Sequence, residues 1–149
     1  QVSASRSAPS AGYSGKATWQ KLGLAADLRV LVRHAPGDYA ALVGAPAGGF
    51  VLAGPRAAFH LAHVFVDRRA TLARELAALS ARLPADGVLW VSWPKKASGI
   101  ATDVVEDTVR ELALPLGLVD VKVCAVDATW SGLKLVWRRE LRTGKPGRA

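Results

Sequence analysis

The chain has 149 residues, half of them hydrophobic and 21% charged, which fits one domain with a single core and excludes a disordered chain. Its one cysteine, Cys124, excludes an intramolecular disulfide and a cysteine-rich zinc site. The net charge of +8 is unevenly placed: residues 138–149 carry +4, Arg6 adds one, and only +3 is left for the rest.

In chain order, residues 1–11 are rich in Ser and Ala and read as a disordered tail without the apolar core of a signal peptide. Trp19, Leu22 and Leu24 mark a short helix that Gly23 ends. Leu28 to His34 is a strand stopped by Pro36-Gly37. Tyr39 to Val43 is a helical turn closed by Gly44, and Phe50 to Leu52 is a short strand between Gly49 and Gly54-Pro55. Leu61 to Val66 is a strand ending at Asp67. Leu72, Leu76, Leu79 and Leu83 then form the apolar stripe of a helix that Pro84 and Gly87 terminate.

Val88 to Trp93 is a nearly continuous apolar strand, the kind found where both faces of a sheet are covered. On it Trp90 and Trp93 point to opposite faces. A loop over Pro94 to Gly99 precedes a helix from Asp103 to Leu114, with Asp103 and Glu106 as an acidic cap and Glu106 four residues before Arg110. Pro115 and Gly117 end it. Two strands, Val119 to Val126 and Leu133 to Trp137, are joined by Asp127 to Gly132. No stretch is long and apolar enough for a membrane span, and the expected location is cytoplasmic.

Strands alternating with helices predict an α/β, Rossmann-like three-layer sandwich: a mainly parallel sheet with consecutive strands in order and an antiparallel edge strand formed by the last segment. The domain is placed at residues 12–139, followed by a basic tail over 140–149. A basic tail without a reading element gives only salt-sensitive, nonspecific affinity, which disfavours nucleic acid as the partner.

Open parallel sheets bind ligands outside the carboxyl ends of their strands. That rule selects His34, Asp67, the loop from Trp93 to Gly99 with Lys95, Lys96, Ser98 and Gly99, and the turn with Asp127, Trp130, Ser131 and Gly132; Thr102 just beyond the loop is a further candidate. Two lysines beside a loop entering a helix suit an anion, and glycines let a backbone approach it closely. Against this stands the reading of solvated lysines on a turn and glycines that only bend the chain. Trp130 either covers the site or seals the sheet end; sealing is favoured. His34 is an acid or base candidate, with Asp103 and Asp127 as further candidates. His60 and His63 lie in a strand on opposite faces, so no metal site is predicted, and Cys124 in an apolar strand reads as a core thiol. No dinucleotide fingerprint, phosphate loop or nucleophile elbow occurs, and no cofactor is predicted.

The strings Gly12-Tyr13-Ser14-Gly15, Trp93-Pro94-Lys95-Lys96-Ala97-Ser98-Gly99, Thr102-Asp103 with Glu106-Asp107, Gly117 to Asp127, and Trp130-Ser131-Gly132-Leu133 resemble the bacterial domain-of-unknown-function family 3052. The resemblance spans residues 12–139 and implies no activity. The order of elements from Ala62 to Trp137 also resembles the later half of a class I methyltransferase. That resemblance implies a glycine-rich loop after the first strand and an acidic residue ending the second. This chain has His34-Ala35-Pro36-Gly37-Asp38 and Phe50 to Leu52 there instead. The leading expectation is a non-catalytic binding or regulatory module for an anionic small molecule or a protein partner. A degenerate methyltransferase-like enzyme is the alternative, and nonspecific nucleic-acid binding through the tail is a third.

Overall fold

The computed structural model describes residues 15–143. The N-terminal tail, the Gly12-Tyr13-Ser14 part of the first resemblance string and residues 144–149 lie outside them.

Each strand forms where branched and aliphatic residues run between Gly or Pro breaks. β1 is Arg29–Arg33, β2 Val51–Leu52, β3 Leu61–Phe65, β4 Val88–Pro94, β5 Leu118–Ala125 and β6 Trp130–Trp137. They form one sheet in the order β2-β1-β3-β4-β6-β5. The first four are parallel, and β6 pairs antiparallel with both β4 and β5. The fold is thus the expected α/β Rossmann-like one, with two differences in arrangement. Consecutive strands are not in order, because β2 and β3 flank β1 on opposite sides. The last strand is antiparallel but inserts between β4 and β5, which leaves β5 at the edge. A register shift at Asp120/Lys122 in β5 makes Val121 an extra residue. Such bulges bend edge strands away from further pairing.

Two helices cover one face. These are α3, Arg69–Ser80, and α4, Glu106–Ala113. The stripe Leu72, Leu76, Leu79 and Leu83 is fully buried in a core shared with Val64, Val91, Trp93, Leu133 and Leu135. The other face is covered by α1, Thr18–Lys21, and α2, Tyr39–Val43. Here Leu22, Val30, Tyr39, Leu61, Phe65 and Trp90 form a second core, with Trp19 and Trp130 packed against it. Trp90 and Trp93 do serve opposite faces. The Trp90 indole N–H donates to the Leu22 carbonyl at 2.9 Å and ties α1 to the sheet.

The second long helix starts at Glu106 rather than Asp103. Asp103 caps α3 instead: its carboxylate accepts the Arg69 amide at 2.6 Å, a role that the Arg68 side chain at the N-cap does not perform. Inside α4, Arg110 pairs with Glu106 as the spacing predicts, and also with Asp120 of β5 at 2.9 Å. This Arg110 contact holds the Asp120 carboxyl below the usual range. At the C-terminal boundary, the chain forms a 3-10 turn over Arg139–Leu141, past residue 139, and residues 144–149 of the basic tail lie outside the described residues. Among the described residues no helix is long and apolar enough to cross a membrane.

Candidate functional site

The reversal of strand order between β1 and β3 creates a topological switch point, and its carboxyl edge is where this class of sheet accepts ligands. Sequence reasoning placed two residues there, Asp67 just after β3 and His34 just after β1. The structure singles out His34. It is the described non-glycine residue with positive φ, 61°, a conformation that costs an L-residue of this kind about 1–2 kcal/mol. Its Nε2 lies 2.8 Å from Oε2 of Glu75 on α3. Arg33 reaches the same carboxylate at 3.1 Å. Burial pushes the Glu75 carboxyl up, but hydrogen bonds and charge from His34 and Arg33 outweigh that and hold it below the usual range. The Glu75 side chain is only 5% exposed, whereas His34 is half exposed. Neither Arg33 nor Glu75 was singled out from sequence. The available signal was a carboxylate beside Leu72 and Leu76 on an otherwise apolar stripe, which needs a basic partner once buried.

Beneath this edge runs a buried polar chain. The Tyr39 hydroxyl lies 2.7 Å from His63 Nδ1, and His63 Nε2 lies 2.8 Å from Ser92 Oγ. His63 and Ser92 are fully buried. Burial lowers the His63 pKa to about 3, so its ring is neutral, and burial also raises that of Tyr39. A neutral imidazole has one donor and one acceptor, which two hydroxyls satisfy. Tyr39 further packs edge-on to Phe50 and Phe65 at 5.7 and 6.1 Å. His60, by contrast, sits just before β3 with its Nδ1 accepting the Arg29 amide at 2.8 Å. No group of three or more metal-ligating side chains occurs among the described residues.

The remaining predicted residues gather two strands away, where β4 ends beside the β5–β6 turn. The Lys95 ammonium donates to the Asp127 carbonyl at 2.7 Å, and the Lys95 amide donates to the Thr129 carbonyl at 2.8 Å. Asp127 turns the hairpin, its Oδ1 accepting the amides of Thr129 and Trp130. Ser98 donates to the Lys95 carbonyl, and Gly99 at φ 76° ends that 3-10 turn. Thr102 donates to the Asp67 carbonyl at 2.7 Å, tying the loop to the end of β3. Trp130 is half-buried and packs edge-on against Phe65 at 5.3 Å. Ser131 is half-buried opposite Trp93. Gly132 is buried, and a Cβ there would lie 3.3 Å from the Trp90 ring, so its lack of a side chain serves packing within the sheet. Lys96 is exposed. Neither lysine has a carboxylate partner among the described residues. The expected turn over Asp127 to Gly132 is shorter than that, since Trp130, Ser131 and Gly132 pair with β4 as the start of β6; the structure therefore joins Lys95, Ser98 and Asp127 in one loop pair beside Trp130, and leaves His34 with Arg33 and Glu75. Cys124 is half-buried, and burial raises its thiol pKa.

No protein-family model matches the chain, and no curated protein sequence is similar to it. Solved structures share its fold. A single-residue mutant of MtNAS aligns with a TM-score of 0.53 at 8% identity, over 80% of this chain and 56% of that one. A TehB-like SAM-dependent methyltransferase from Corynebacterium glutamicum gives 0.49 at 12% identity, over 86% and 91%. The ribosomal protein L11 methylase from Lactobacillus delbrueckii subsp. bulgaricus gives 0.46 at 13%, over 74% and 70%. At these identities the likeness is one of fold alone, a Rossmann-like α/β sheet.

Proposed function

We propose that this domain is a binding or regulatory module that recognises an anionic small molecule at the carboxyl edge of its sheet, through Lys95 and Lys96. The observation that carries this reading is electrostatic. Around that edge the carboxylates of Asp127, Asp103 and Glu75 are engaged by backbone amides or basic side chains. Neither lysine meets a carboxylate among the described residues, and the Lys95 ammonium meets only the neutral Asp127 carbonyl there. A cationic loop beside Asp127 and Asp103, whose carboxylates are already held, favours an anion over a cation; the Asp67 carboxylate at the end of β3 is exposed. We further propose that the chain belongs to the bacterial domain-of-unknown-function family 3052 and acts in the cytoplasm.

A methyltransferase-like enzyme is the second reading, which rests on the resemblance in the order of elements from Ala62 to Trp137. The residues do not fit the nucleoside cofactor in the way that resemblance implies. After β1 the space under α2 is filled by the Tyr39 ring against Phe50, Phe65 and His63. β2 ends at Leu52 and runs into Ala53-Gly54, with no carboxylate for ribose hydroxyls.

A thermal-shift screen decides between them. Inorganic phosphate, sugar phosphates, coenzyme A, nucleotides and S-adenosylhomocysteine are compared on the parent and on the Lys95→Ala/Lys96→Ala double variant. A phosphorylated compound should stabilise the parent, and this effect should vanish in a folded double variant. Stabilisation by S-adenosylhomocysteine alone would transfer the assignment to the enzyme reading. Undiminished binding in the double variant would overturn the lysine site.

A further inference from the structure

A cavity of about 220 Å³ opens at the opposite, amino edge of the sheet. Its walls are Leu22 and Gly23 after α1, Leu28 before β1, His60 and Leu61 at the start of β3, and Val88 at the start of β4. Leu22 and Leu61 are buried core residues, so the floor is aliphatic. Three polar side chains line it: Lys134, His60 and the exposed Asp86. Lys134 comes from the middle of β6, half-buried and with no carboxylate partner among the described residues. Directly across the strand pair stands Lys122, whose ammonium donates only to the Lys21 carbonyl. Like charges opposite each other on a sheet are mutually unfavourable, and an anion between or beside them relieves that cost. The second group is His60. Its Nδ1 already accepts the Arg29 amide, so the neutral ring carries its proton on Nε2 and has only a donor left to offer.

We propose that this cavity binds a small aliphatic monocarboxylate, with the carboxylate on Lys134 and the His60 N–H and a branched tail among Leu22, Leu28, Leu61 and Val88. Aliphatic walls with a few convergent donors are the ordinary make-up of a small-molecule site. The cavity lies below the usual size range for drug-sized ligands, which suits a molecule of a few carbons. Asp86 stands exposed at the rim, and its charge disfavours a second carboxylate on the ligand. The site is separate from Lys95 and Lys96 and stands or falls without them.

The test is a titration of the 15N-labelled protein with isovalerate, followed by amide shifts, beside the neutral isostere isovaleramide. Saturable shifts at Gly23, Leu61 and Val88 are expected, with the amide bound about tenfold more weakly, the loss typical of one charge-assisted hydrogen bond. Lys134→Met keeps the apolar stem and should remove the preference for the acid. Should that variant misfold, the acid-to-amide comparison on the parent still decides. No saturable shift, equal binding of acid and amide, or shifts confined to residues 95–99 would overturn the proposal.

Discussion

The two faces of the sheet are held by different means. Under α3 and α4 the contacts are mainly aliphatic: Leu72, Leu76, Leu79 and Leu83 are wholly buried with Val64, Val91 and Leu133, beside the rings of Trp93 and Trp137. Under α1 and α2 the covering helices are only four and five residues long. They bury less surface, and the gap is filled by aromatic rings and by the Tyr39–His63–Ser92 chain. Apolar contacts are non-directional, whereas a satisfied hydrogen-bond chain fixes one position. The long helices therefore supply stability, and the polar chain sets where α2 sits. That placement matters because α2 follows directly from His34 and the loop that shapes the switch point.

The sharpest way to break this comparison is to remove one side chain from each face. Leu76→Ala should lower unfolding free energy by about 2–5 kcal/mol in denaturant melts, with no pH dependence of its own. The other face should respond to acid. His63 is neutral in the fold, with a pKa of about 3, and protonates near 6.5 when unfolded. Below pH 6.5 the unfolded chain takes up a proton that the native one does not, so stability falls as pH drops toward 3. The slope is about 1.4 kcal/mol per pH unit, or about 2 kcal/mol between pH 6.5 and 5. Glu75 and Asp120 are held low and lose their contribution only at still lower pH, so melts at pH 7 and pH 5 isolate the histidine. His63→Gln should flatten that difference. A parent protein equally stable at both pH values would mean that the ring is not buried in solution.

Much of this fold was legible as a string of elements. Apolar runs between Gly and Pro breaks located all six strands, and the four-three-four leucine spacing located α3. What the sequence hid was placement across the sheet. The reversal at β1 and the insertion of β6 beside β4 are decided by which faces pack, and no local residue reports that. Asp103 illustrates the same limit: its spacing to Glu106 suits a cap of its own helix, yet the fold brings it to the amide of Arg69. At the candidate site, the loop pair around Lys95 and Asp127 followed from the strand-end rule. The Arg33–His34–Glu75 cluster did not, since it joins residues 41 and 42 positions apart. Chain position alone could not pair them.

Smaller effects sharpen the contrast within the sheet itself. Gly132→Ala should cost about 1–3 kcal/mol, because the new methyl would meet the Trp90 ring at 3.3 Å and Val126 at 3.2 Å in the face that carries the aromatic packing. Lys96→Ala, on an exposed turn, should change stability by less than about 0.5 kcal/mol. A Gly132→Ala protein as stable as the parent would show that this face can give way, and with it the idea that its packing fixes α2.

The last comparison is between two variants of one residue. His34→Ala and His34→Gly both lose the imidazole contact with Glu75, so that loss cancels between them. They differ in backbone freedom at φ 61°, where glycine sits without strain and alanine does not. That difference favours the glycine variant by about 1–2 kcal/mol. Against it stands the greater entropy that glycine gives up on folding, about 0.5–1 kcal/mol. The glycine variant should thus be the more stable of the two by up to about 1.5 kcal/mol, read as a higher denaturant midpoint at unchanged slope. An alanine variant more stable than the glycine one would show that residue 34 relaxes out of the left-handed region once its imidazole is gone. The strain would then be imposed by the Glu75 contact rather than by the turn into α2. Either result identifies what holds the backbone of the switch-point loop, the element that most separates this chain from the glycine-rich loop its resemblance implies.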